Sequence, residues 1–150
     1  HRSASISRAQ ATVAALDLAV ESFYHDNGYY PTSSLRRVAS YTDIGWSCQF
    51  TNSWLLYQQL TQGPKVYCKF QADQLRSYST LTVIIDPWGK PYVYFNPAIY
   101  TNQNLSWEVS SCAKYSQFRP DIASDGPDRL SNEFGGTSDD ITNYGKTRWR

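Results

Sequence analysis

The segment from Ala4 to Asp26 constrains the fold more than any other part of the chain. Ile6, Val13, Leu16, Val20, Phe23 and Tyr24 recur at helical spacing, and alanines at 9, 11, 14, 15 and 19 fill the gaps with strong helix formers. Ser3 or Ser5 is the candidate N-cap. A helix over residues 4–26 would be about 34 Å long at the usual helical rise. Its single apolar stripe calls for a cover on one side, most simply a sheet, with the N-terminal end free to project. Asn27-Gly28 stops it, because glycine accepts the left-handed backbone that a helix terminus needs, and Pro31 prevents resumption.

The rest of the chain alternates short elements. A second helix is expected from Ser53 to Gln62, capped by Asn52 or Ser53, ended by Gly63-Pro64, with Leu55, Leu56, Gln59 and Leu60 facing inward. A short helix is expected around residues 72–77. Leu81 to Ile85 is a β-rich apolar run and reads as a buried strand. Asp86-Pro87-Trp88-Gly89 supplies a turn, with Asp86 accepting backbone N–H bonds, and Tyr92 to Phe95 is the returning strand. Further strands are expected at Trp107–Ser111 and Phe118–Ser124.

One hundred and fifty residues suit one domain with one core. A net charge of +1 gives no basic field for nucleic acid. No apolar run approaches the ~20 residues that cross a bilayer. The chain starts at His1 and contains no Met, so it reads as a processed or truncated product with an upstream segment missing. Three cysteines, Cys48, Cys68 and Cys112, match no CxxC pair and argue against structural zinc. They permit one disulfide and one free thiol, and their spacing leaves the pairing open. No G-x-S-x-G, G-x-G-x-x-G or Walker loop is present. His25 near the helix end suits the helix dipole better than a catalytic role. The chain reads as a non-enzyme.

The charges are uneven. Six acids, Asp121, Asp125, Asp128, Glu133, Asp139 and Asp140, lie within residues 121–140 beside one base, Arg129. Calcium takes six to eight oxygens in tolerant geometry, which carboxylates and glycine-loop carbonyls can supply. The EF-hand spacing is absent. On composition alone, a solvated acidic loop is the better account.

Three strings occur in fixed order: Tyr24-His25-Asp26-Asn27-Gly28-Tyr29-Tyr30-Pro31-Thr32, then Asp86-Pro87-Trp88-Gly89-Lys90-Pro91-Tyr92-Val93-Tyr94, then Ser124-Asp125-Gly126-Pro127-Asp128 closed by Asp139-Asp140-Ile141. Together they resemble the soluble domain of the major pseudopilins of type II secretion systems, relatives of type IV pilins. The corner at Asn27, Gly28 and Pro31 matches a "dNGxYPT"-like corner, and Asp86, Pro87, Trp88 and Gly89 open a "DPWGxPYxY" string. Ser124, Gly126, Asp128, Gly135, Gly136, Asp139, Asp140 and Ile141 match a calcium-binding "SxGxDG…GG…DDI" loop. Arg129 stands where that loop usually carries glycine, and the spacer 130–134 lengthens it.

The resemblance covers about half of the chain. It implies an α+β fold: one long N-terminal helix packed on a small antiparallel sheet, with a C-terminal acidic loop. Residues 1–150 then form a single periplasmic domain, with helix 4–26, a variable middle region 34–80, and the sheet and loop over 81–145. It implies a structural subunit that polymerises through its N-terminal helix into a pseudopilus and supports export across the outer membrane. Its partners would be copies of itself, other pseudopilins and inner-membrane secretion components. A missing upstream apolar helix, methylated after processing, would anchor it in the inner membrane. Calcium is the implied ion, with Asp128, Asp139 and Asp140 as ligands. The rivals are a type IV or competence-type pilin, serving adhesion or DNA uptake, and a carbohydrate-binding module that uses the many aromatics.

Overall fold

The computed structural model describes residues 2–33, 48–96, 119–127 and 141–143. Helix α1 spans Arg2–Asn27 and α2 spans Cys48–Thr61. A single 3-10 turn at Ala72–Gln74 leads into β1 (Leu75–Tyr78), followed by β2 (Leu81–Ile84), β3 (Val93–Phe95), β4 (Asp121–Ser124) and β5 (Ile141–Thr142). All strand pairs are antiparallel. They form a two-stranded sheet, β1-β2, and a three-stranded sheet in the order β3-β4-β5. The fold is α+β, with a long N-terminal helix on two small antiparallel sheets. That architecture is broadly pilin-like.

Helix α1 packs against β4 and β5, and α2 packs against β2 and β3. Val13, Leu16, Ala19, Val20 and Phe23 from α1 meet Leu56 and Leu60 from α2 and Ile84, Tyr92, Tyr94 and Ile122 from the strands in one core. Phe50 and Val83 centre a smaller cluster with Trp54, Tyr78, Leu81 and Ile85. Helix α2 lies within the stretch 34–80 and supplies core from it.

At the end of α1 the Gly28 amide bonds to Tyr24 O at 2.7 Å, and Gly28 has φ 82°. A Cβ there would meet nothing within 4 Å, so the backbone conformation selects glycine, not lack of space. Asn27 Nδ2 covers a second terminal carbonyl, Phe23 O, at 2.9 Å.

The structure differs from sequence expectation in several places. Ser3 and Ser5 lie inside α1, which begins at Arg2, so neither is its N-cap. Helix α2 begins at Cys48, and Asn52 and Ser53 are interior and buried. Ser53 Oγ instead donates to Ile84 O at 3.0 Å and accepts from Ile84 N at 2.9 Å, fastening α2 to β2. Of the helix expected over 72–77, only the 3-10 turn forms. Leu75–Ser77 extends because β2 needs a partner, and Leu75 pairs with Ile84. Of the inward set on α2, Leu56 and Leu60 are fully buried, while Leu55 and Gln59 are half-buried.

The single stripe assigned to α1 is also incomplete. Val13, Leu16 and Val20 are buried, yet Leu18 is 70% exposed. Helical periodicity places Leu18 with exposed Ala11, Ala14 and Ala15 on the opposite side. The helix is apolar on two opposed faces, one covered and one bare. Tyr24, grouped with the inner residues by spacing, is exposed and rests against Tyr30 with ring centroids 4.5 Å apart. The strand expected at 107–111 lies outside the described residues.

Candidate functional site

The three strings that are separate in sequence meet in space through hydrogen bonds. Asp86 ends the run after β2. Its Oδ1 accepts from the amides of Trp88 (3.0 Å) and Lys90 (2.9 Å), and Gly89 N bonds to Asp86 O, which closes the Asp-Pro-Trp-Gly corner on itself. Its Oδ2 accepts from Ser124 Oγ at 2.7 Å, at the end of β4. Ser124 Oγ accepts in turn from Gly126 N at 3.0 Å. One buried carboxylate therefore binds the corner string to the first residues of the acidic string.

Asp125 stands beside this junction. Its Oδ2 forms an ion pair with Lys90 Nζ, with side chains 2% and 17% exposed. Gln49 Nε2, from α2, donates to the same oxygen at 3.2 Å and to Pro91 O at 2.8 Å. Burial pushes the Asp86 carboxyl above the ordinary carboxylate value, and the charge of Asp125 adds to the rise. The Ser124 hydroxyl and the Lys90 and Trp88 amides pull it back. The folded state thus holds that proton more firmly than the unfolded chain. This contribution to the stability of the fold is complete below the ordinary carboxyl value and is lost as pH climbs through the raised one.

The helix-end string joins the other side. Tyr94 Oη donates to Pro31 O at 2.7 Å, and Asn96 Nδ2 reaches the same carbonyl at 3.1 Å. Gln59 of α2 clasps Thr32, accepting from its amide at 2.8 Å and donating to its carbonyl at 3.0 Å. Asp26 accepts from Lys65 Nζ and Tyr67 Oη, both at 2.8 Å. The bond from Lys65, with that from Tyr67, holds the Asp26 carboxyl below its usual value. This clasp stabilises the fold above the unfolded carboxyl value of 3.8 and is lost as pH falls through the lowered one.

Helix α1 is also tied to the three-stranded sheet by charge. Arg119 bonds both carboxylate oxygens of Asp17 at 3.1 Å and Glu21 Oε2 at 3.0 Å. Asn143 Nδ2 donates to Asp17 Oδ1 at 2.8 Å, while its Oδ1 accepts from Ile122 N at 2.9 Å.

Asn27, Gly28 and Pro31 thus shape the first corner, and Asp86, Pro87, Trp88 and Gly89 the second. Asp128, Asp139 and Asp140 lie outside the described residues, as do Arg129, Gly135 and Gly136. Both edges of their connection are described. Ser124 pairs with Ile141 and Ala123 with Thr142, so the chain leaves the sheet after β4, its centre strand, and rejoins it beside that same strand end in β5. Ser124 and Asp125 are committed to Asp86 and to Lys90 with Gln49. Among the described residues, no group of three or more His, Cys, Asp or Glu side chains could hold a metal. No helix among them is long and apolar enough to cross a membrane. Cys68 carries a free, half-buried thiol, and burial pushes its pKa up. Cys112 and the Cys48 side chain lie outside the described residues.

Sequence reasoning missed Gln49, Ser53, Lys90, Arg119 and Asn143 as fasteners. Lys90 alone carried a signal, as a cation inside the corner string with an excess of acids downstream. No protein-family model matches the chain, and no curated protein matches its sequence.

Proposed function

We propose that this chain is the globular part of a pilin-type fibre subunit, and within that group a major pseudopilin of a type II secretion system. The carrying observation is the two-faced α1. One face seals the core, while the other presents Leu18 at 70% exposure among small side chains. A bare apolar strip on a long helix invites a neighbouring helix, because small residues allow close approach. The corner strings and their cross-bonds serve as stiffeners of the block behind that helix. In this reading the chain is not an enzyme. It is held in the inner membrane by an upstream apolar segment, faces the periplasm, and assembles with copies of itself and with secretion components.

Replacing Leu18 by Asp tests this reading in cells that make the full-length product. The expected result is loss of fibres by electron microscopy, with stability of the purified domain changed by less than about 0.5 kcal/mol, as for an exposed site. Fibres of wild-type length and number in the variant would defeat it.

Calcium belongs to the same reading. Three carboxylates and glycine carbonyls would supply hard-oxygen donors of the kind that Ca²⁺ takes, and the ion would cancel repulsion among Asp128, Asp139 and Asp140. The β4–β5 pairing brings the two ends of the connection together, which suits such a set. Titrating Ca²⁺ into chelator-treated protein should release or absorb measurable heat, with the response lost in Asp140→Asn. No heat at millimolar calcium would end the assignment.

A further inference from the structure

The first residues of the acidic connection hold a positive charge that the chain itself supplies. Asp125 is buried at 1% exposure, out of reach of bulk water, where a carboxylate without a cation is costly. Lys90 reaches it from the Asp-Pro-Trp-Gly corner, and Gln49 reaches it from α2. One residue earlier, Ser124 is fixed to Asp86 of the same corner, and one residue later the Gly126 amide is fixed to Ser124 Oγ. Gly126 has φ 79°, so the chain turns sharply there in a conformation that suits glycine. Ser124 and Asp125 are thereby pinned to one corner by a hydrogen bond and an ion pair, and Gly126 is held to it through Ser124.

We propose that Lys90 is the internal counter-ion that anchors the start of the acidic connection, so that residues 124–126 keep their geometry with no divalent ion bound. The connection then has two separable holds. Lys90 secures its entrance, and any divalent ion acts further along. Lys90 is a positioning residue. The proposal stands on the described residues alone and does not depend on the fibre reading or on calcium.

Amide hydrogen exchange tests it, read at Gly126 in both chelator and calcium. Wild-type protein should protect Gly126 equally in the two conditions. Lys90→Met should speed exchange at Gly126 by about tenfold or more in chelator, since a buried carboxylate that loses this cation favours local opening. Amides of α1 from Val13 to Val20 should change less than about twofold, which separates local release from global unfolding. Lys90→Arg, which keeps the charge, should restore protection. Should Lys90→Met also loosen α1, Asp125→Asn provides the local reading, because it removes the charge yet leaves an oxygen for Gln49. Unchanged Gly126 protection in both variants would overturn the proposal. So would wild-type protection that appears only with calcium. A protein that binds no calcium at all leaves every chelator arm readable.

Discussion

Asp86→Ala is expected to lower the unfolding free energy by about 3–4 kcal/mol, an effect large enough to threaten a domain of this size. The carboxylate is 2% exposed and accepts from two backbone amides and one hydroxyl. Removing it leaves three donors without that acceptor, each worth about 1–3 kcal/mol if buried. The Trp88 and Lys90 amides belong to half-buried residues, so water recovers part of the loss there. Ser124 is fully buried and recovers little. Asp86→Asn should cost only about 1 kcal/mol. Its amide oxygen still caps the corner, and its amide nitrogen can donate to the spare lone pair of Ser124 Oγ, so that the Ser124 O–H alone loses its acceptor. Denaturant melts of the two variants check this. Equal losses would mean that charge, not acceptor geometry, holds the corner.

Leu16→Ala is the second large effect. Leu16 has no exposure and sits among α1, α2 and the strands, so truncation removes buried apolar surface and leaves a cavity. A loss of about 2–5 kcal/mol is expected. Leu18→Ala, two residues on and 70% exposed, should stay within about 0.5 kcal/mol of wild type. The pair reads the two faces of one helix with the same chemical change. A substantial loss at Leu18 would show that its face is covered within the monomer, and the fibre reading would lose its surface.

What the sequence made legible was local. Helix α1 was readable because its apolar spacing and its Asn27-Gly28 stop lie within one short stretch. The Asp86 corner was readable because its main acceptor serves amides two and four residues away. Asn52 and Ser53 misled because the side-chain chemistry that caps a helix also fastens a helix to a strand. Only the fold brings Ile84 to Ser53. Leu75–Ser77 misled because pairing with β2 overrode local preference. The ties of Lys90 to Asp125 and of Arg119 to Asp17 and Glu21 cross 35 to 102 positions, and no spacing rule reaches that far. Counting acids in the last third treated Asp125 as part of a cation-seeking cluster, whereas its charge is met by Lys90. The proposed calcium ligands rest on donor chemistry and resemblance.

The two-faced helix is tested most directly by light-activated crosslinking from position 18. Leu18 is replaced by benzoylphenylalanine in the protein made by its own cells, which are then irradiated. The expected result is a ladder of bands at whole-number multiples of the subunit mass, absent without light and absent when the probe sits at buried Val20. Only monomer, or a single adduct to an unlike protein, from a domain that still melts as wild type would contradict the assembly of this helix with its own copies.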